Sequence, residues 1–247
     1  MKISLEPYSL SEFEHVAAAL GQDRCRYVVT PNADHIIRLH EDANFRSIYK
    51  DADFVLFDSR FLALFLRIFR AKRVPVCPGS DLTEQLFAKV IKPDDAVVLI
   101  GGTNQQVDQL RERFQLTRLH HYNPPMGFVK RPEEIERCIQ FIESVGAFRF
   151  CFMAVGAPQQ EILANALRDR GIARGLVLCI GASINFLTGH ELRAPTWMRS
   201  IGMEWLFRCM SDPKRLAHRY FVRGPRVFRI LLSSEIVIRN RPEASVA

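Results

Sequence analysis

AVVLIGGTNQQVDQLRERF, residues 96–114, contains one complete strand–turn–helix unit. Residues 96–100 form an uninterrupted apolar run, too short for a core helix and suited to a strand covered on both faces. Ile100-Gly101-Gly102-Thr103 is the turn, after which Val107, Leu110 and Phe114 recur at helical spacing. The same alternation extends in both directions. Strands are expected at 26–30, 54–57, 74–77, 117–122, 148–155 and 176–180, with amphipathic helices at 33–49, 60–69, 82–91, 132–144 and 159–170. Ser80 and Asp81 can cap the helix before Leu82, and Gly171 can close the one ending at Arg170. The pattern predicts an α/β fold: a Rossmann-like, mostly parallel sheet with helices on both faces. After Gly189 no further strand is expected, and the rest reads as helices broken at Asp212-Pro213 and Gly224-Pro225. This divides the chain into a domain over 1–190 and a C-terminal helical appendage over 191–247.

Charge marks the same boundary. From Arg193 to Arg241 there are eleven Lys or Arg against three acids (Glu204, Asp212, Glu235), a local balance of +8. The whole chain carries +7, so the remainder sums to about −1. A cationic segment calls for an anionic partner: the phosphates of a small ligand, an acidic membrane surface or nucleic acid. Trp197, Trp205, Phe207, Tyr220, Phe221 and Phe228 interleave with the arginines, which suits a lipid interface. Arg215, Arg219 and Arg223 recur every four residues and share a helix face, either solvated or turned to headgroups. The nearly neutral first 190 residues show no nucleic-acid-binding signature, so no nucleic-acid partner is expected.

At 48% hydrophobic and 25% charged residues the composition is that of a globular protein and not a disordered one. The apolar runs 54–69 and 227–238 are interrupted by charges and fall short of the roughly 20 residues a bilayer crossing needs. Six cysteines lie singly, without a C-x-x-C pair, and are expected as reduced core residues. Acids and polar residues come too early at the N-terminus for a secretory signal, so a cytosolic location is expected.

In an open parallel sheet, ligands bind at the carboxyl ends of the strands. Four places there carry polar side chains. Thr30-Pro31-Asn32 offers a hydroxyl and a carboxamide, or simply a helix N-cap. Asp58 follows an apolar strand and can act as a general base with a raised pKa, or cap the next helix. Gly101 and Gly102 make a tight turn that can border a nucleotide, although the G-x-G-x-x-G fingerprint is incomplete, which weighs against a nicotinamide enzyme. Pro158, Gln160 and Glu161 open a helix with groups suited to sugar hydroxyls or a base edge, or to the helix dipole. Asp51-Ala52-Asp53 has a metal-binding form but precedes its strand, at the wrong end of the sheet; no metal site is assigned. His120-His121 reads as a strand end.

At these residues the chain resembles the WecG/TagA/CpsF family of bacterial glycosyltransferases. The matching pieces are Thr30-Pro31-Asn32, Asp58, R-V-x-x-x-x-G-x-D from Arg73 to Asp81, and G-x-P-x-Q-E from Gly156 to Glu161. R-A-P-x-W from Arg193 to Trp197, and G-x-E-W-x-x-R with P-x-R-x-x-x-R-Y between Gly202 and Tyr220, complete the order. The resemblance implies inverting transfer of a hexose-type sugar (glucose, N-acetylmannosamine or its uronate) from a UDP-sugar to a polyprenyl-diphosphate-linked saccharide. It places that reaction at the inner face of the cell membrane, in exopolysaccharide or cell-envelope synthesis, without metal or redox cofactor. By the same resemblance Asp58 is the base, with Thr30 beside it, and Asn32, Arg73 and Gln160 line the donor or acceptor pocket. Without a metal, arginines must meet the departing diphosphate; Arg193, Arg208, Arg215 and Arg219 are the candidates. Ser59, Gln159 and Asn185 depart from the family pattern, where Gly, Lys and Asp are usual. An inactive, membrane-associated sugar-nucleotide-binding relative is the alternative reading, and the chain is a monomer or a small homo-oligomer.

Overall fold

The computed structural model describes residues 1–240. In chain order, β1 (Lys2–Leu5) and α1 (Leu10–Ala19) precede β2 (Cys25–Val29), α2 (Ala33–Glu41), α3 (Ala43–Asp51), β3 (Phe54–Val55), α4 (Arg60–Arg70) and α5 (Gly79–Gln85). There follow β4 (Val97–Ile100), α6 (Asn104–Phe114), β5 (Leu119–Tyr122), α7 (Pro132–Ser144), β6 (Ala147–Met153), α8 (Gln159–Arg170), β7 (Arg174–Cys179) and α9 (Ser183–Leu187). The last quarter holds α10 (Thr196–Ser200), α11 (Glu204–Ser211), α12 (Pro213–Ala217), α13 (Arg226–Ser233) and β8 (Glu235–Ile238).

The main sheet is six-stranded and all parallel, in the order β3-β2-β7-β6-β4-β5. Central strand β4 is apolar and buried throughout because both faces are covered, edge strand β5 carries His120 and His121, and the strand period of two sends neighbouring residues to different cores. Val98 and Ile100 join Cys151, Met153, Val177 and Cys179 against α2, α3, α4, α7, α8 and α13. Val97 and Leu99 join Phe150, Phe152, Leu176 and Leu178 against α1, α5, α6 and α9. All six cysteines are buried and free.

Three expectations are corrected. Residues 74–77 form no strand: Cys77 N–H donates to Phe57 O at 2.9 Å, but Pro75 and Pro78 carry no N–H and cannot build a ladder. Strands do not cease at Gly189, because β8 pairs in parallel with β1, from Lys2 opposite Glu235 to Leu5 opposite Ile238. Ser80 and Asp81 do not cap; they lie inside α5, whose N-cap is Pro78. Gly171 does close α8, in the left-handed conformation.

Candidate active site

The carboxyl ends of β2, β3 and β7 bring Thr30, Asp58 and Gly181 to one edge of the sheet. Pro31 O accepts the Asp58 N–H at 3.2 Å, and Thr30 Oγ1 reaches Cys179 O at 3.5 Å, so β2 seats the loop after β3. The first turn of α5 completes the cluster: Gly79 N–H donates to Asp58 Oδ1 at 2.7 Å. A Cβ on Gly79 would lie 2.8 Å from Thr30 Oγ1, so only glycine lets the α5 backbone close on both groups.

Burial, the largest effect, pushes the Asp58 carboxyl up to about 6; the Glu204 charge adds to this, while the Gly79 N–H and the His35 and Arg208 charges oppose it. The groups on α11 therefore act on a carboxylate in the body of the protein. Ser59, the departure next to Asp58, caps α4 by accepting the Leu62 N–H at 3.2 Å, so the capping role open to Asp58 falls to its neighbour.

A buried polar chain runs behind this edge. Asn32 caps α2, accepting the N–H groups of Asp34 and His35 through Oδ1, which also meets His35 Nδ1 at 2.8 Å. His35 Nε2 lies 3.2 Å from Glu161 Oε1, which also accepts from Gln160 Nε2 at 2.8 Å. Gln160 Oε1 accepts the Gly181 N–H at 2.8 Å. Gln160 and Glu161 are almost wholly buried, and among the described residues Glu161 Oε2 and the Tyr49 hydroxyl have no hydrogen-bond partner. His35 was not legible as a site residue: it is one of several polar residues on α2, and only its approach to Glu161, 126 positions away, reveals it. Replacing Glu161 with alanine strands His35 and Gln160 in a dry setting. The expected loss is about 3 kcal/mol, measured by urea unfolding with an unchanged slope.

The other anticipated residues are dispersed. Pro158 is the N-cap of α8. Gly101 has φ +90°, and a Cβ there would meet Val155 Cγ1 at 2.8 Å, so this turn packs against the end of β6. Its N–H donates to Tyr122 O and that of Thr103 to Gln106 Oε1, so neither is free for a phosphate. Arg73 is exposed beside α4, on a depression shared with Arg67. Asp53 accepts the Tyr27 N–H at 3.0 Å and faces Arg24 and Arg168, a structural use of that carboxylate.

The C-terminal arginines divide. Arg193 bonds Asp81 and Glu84, and Asp81 also holds Arg199 at 3.1 Å and Arg60 at 2.5 Å. Arg223 and Arg226 face Glu41 at 3.6 and 2.7 Å. Arg208 lies over the Phe186 ring, 5.5 Å from its centroid, with a distant carboxylate in Glu191 at 3.9 Å. The side chains of Arg215 and Arg219 lie outside the described residues. The aromatic residues divide as well. Trp205 packs on Phe61 and Tyr220, and Phe228 on Phe61 and Phe65, whereas Trp197 and Phe221 are exposed. Asn185 at its departure position donates to Glu191 Oε1 at 3.1 Å and accepts from Gln106 Nε2 at 2.9 Å. An aspartate there would oppose Glu191.

The sequence profile described as glycosyl transferase WecG/TagA/CpsF family matches residues 1–241. An all-parallel α/β body with a strand-end carboxylate is thereby joined to a match over nearly the whole chain, and the protein belongs to the WecG/TagA/CpsF family of glycosyltransferases.

Proposed function

We propose that the protein transfers a hexose-type sugar from a UDP-sugar to a polyprenyl-diphosphate-linked saccharide, with inversion and without a metal, and that Asp58 is the base. The observation that carries this reading is the Asp58 carboxylate: half-buried, held by one N–H from Gly79, and with a pKa of about 6. Such a group is ionised at neutral pH yet basic enough to take a hydroxyl proton. As the acceptor oxygen attacks the anomeric carbon, its proton passes to Asp58. The bond from that carbon to the diphosphate breaks, and its electron pair leaves with the phosphate oxygen.

Negative charge then develops on the departing nucleoside diphosphate and needs a cation in place. Arg208 supports this role best, because its charge already acts at Asp58 while Arg193 is bound to Asp81 and Glu84. Thr30 shapes the pocket by packing on Gly79. The buried chain from Asn32 through His35 and Glu161 to Gln160 holds the ends of β2 and β7 for the donor. We assign the segment from 191 onward, basic and partly aromatic, to completing the site and meeting the membrane that bears the acceptor. Among the described residues no helix is long and apolar enough to cross a membrane.

Titration of the protein with UDP and GDP, followed by release of nucleoside diphosphate from a panel of UDP- and GDP-sugars, tests the donor class. Saturable UDP binding is expected, and GDP as the tighter ligand would overturn it. Turnover is expected to be unchanged in EDTA; loss restored by Mg²⁺ or Mn²⁺ would refute the metal-free reaction.

A further inference from the structure

Helices α6 and α9 share a polar chain whose direction is fixed from one end. Thr103 N–H donates to Gln106 Oε1 at 2.9 Å, so the other arm of that almost wholly buried amide, Nε2, faces its neighbours as a donor. It donates to Asn185 Oδ1 at 2.9 Å and to Thr188 Oγ1 at 3.2 Å. Asn185 is thereby oriented too. Its Nδ2 donates to Glu191 Oε1 at 3.1 Å, and its backbone oxygen accepts the Glu191 N–H at 3.1 Å, so one residue holds Glu191 by both main chain and side chain.

The chain stops short of Arg208. Arg208 Nη2 lies 3.9 Å from Glu191 Oε2, too far for a hydrogen bond, while its guanidinium lies over the ring of Phe186, the residue after Asn185. Arg193 reaches the same ring, at 6.0 Å, but is bonded closely to Asp81 and Glu84. One ring of α9 thus carries one arginine closed on carboxylates and one standing off. A carboxylate this near a guanidinium gains by closing on it, and the Asn185 amide draws Glu191 the other way.

We propose that Asn185 is a positioning residue: it holds Glu191 away from Arg208, so that the guanidinium stays open to the diphosphate of the nucleotide. Only an amide fits the place, because it must accept from Gln106 and donate to Glu191 at once. Aspartate would accept from Gln106 but turn a second negative oxygen on Glu191, and alanine would leave the Glu191 side chain to close on Arg208. The inference rests on the proposed donor site, since it needs a diphosphate beside Arg208.

Titration of the full chain with UDP, and with uridine by competition, tests it. Asn185→Ala should bind UDP about five-fold more weakly, the share of a partly exposed ion pair that the phosphates must open, with uridine affinity unchanged. Gln106 Nε2 keeps Thr188 as acceptor in that variant, so the thermal melt should stay close to wild type. Glu191→Gln retains an oxygen for the Asn185 amide and removes the competing charge. It should bind UDP at least as tightly as wild type, and in its background Asn185→Ala should have no effect. A UDP loss that persists in the Glu191→Gln background, or that uridine shares, would overturn the proposal, because Asn185 would then act on the fold or the nucleoside. Weaker UDP binding by Glu191→Gln alone would also overturn it. Absence of UDP binding by wild type would sink the donor reading and this inference together, whereas wild-type binding that Asn185→Ala leaves unchanged would sink this inference alone.

Discussion

Asp58→Asn lowers sugar transfer about a thousand-fold while nucleotide binding and the fold persist. The side-chain carbonyl of asparagine can still accept the Gly79 N–H that Asp58 accepts at 2.7 Å, so the loop after β3 keeps its anchor. What is lost is the ability to take a proton. In wild type the rate should rise through pH about 6, the value to which burial lifts this carboxyl, and then level off. Stability should move the other way. A carboxyl with a folded pKa of about 6, against about 4 unfolded, holds its proton more tightly when folded, so its contribution falls as pH rises between those values. Asparagine carries no such cost. The variant should therefore be more stable than wild type above pH 6, by up to about 3 kcal/mol, and equal to it below pH about 4. Near-wild-type turnover, or a variant less stable at neutral pH, would remove Asp58 from the role of base.

Asp81→Ala destabilises the protein by about 4 kcal/mol and loosens its last quarter. Asp81 is almost fully buried in α5 and gathers Arg60 from the start of α4 with Arg193 and Arg199 from the C-terminal segment. Without it, among the described residues, only Glu84, bonded to Arg193, remains paired with any of the three guanidinia. Among the described residues the Nε groups of Arg193 and Arg199 are already buried without partners, and beyond the two carboxylates Arg193 has only the long contact to Ser80 Oγ at 3.3 Å. The expected record is a lower urea midpoint together with faster tryptic cleavage near Arg193 and Arg199. A protected segment with only the midpoint lowered would confine Asp81 to stabilising the body.

Much of this was legible in local patterns. The apolar runs at β2, β4, β6 and β7 and the amphipathic helices between them announce a parallel sheet, because a strand buried on both faces and a helix buried on one leave different periodicities. Asp58 stood out for a related reason: a charge ending an apolar run at the carboxyl end of a strand is where such sheets place chemistry. His35 did not stand out, and Asp81 stood out only as a helix cap and the end of a motif, not as the partner of three arginines. Each looks like an ordinary polar residue on a helix, and each acquires its role from partners on elements far along the chain, Glu161 for one and three arginines for the other. The β1–β8 pair was illegible likewise, since its two short strands lie at opposite ends of the described chain, Lys2 opposite Glu235, and no local pattern links them.

The C-terminal segment shows the division most sharply. Its charge, its aromatic content and the breaks at Asp212-Pro213 and Gly224-Pro225 follow from composition and proline geometry, and are properties of the sequence by itself. Which cations are neutralised inside the protein and which face outward is decided by tertiary structure. Arg193, Arg199, Arg223 and Arg226 meet carboxylates of α2 and α5, whereas Arg67 and Arg73, outside the basic segment altogether, meet none among the described residues. Charge counts along a chain, but the field of an arginine depends on the distance to the nearest acid, and folding sets that distance.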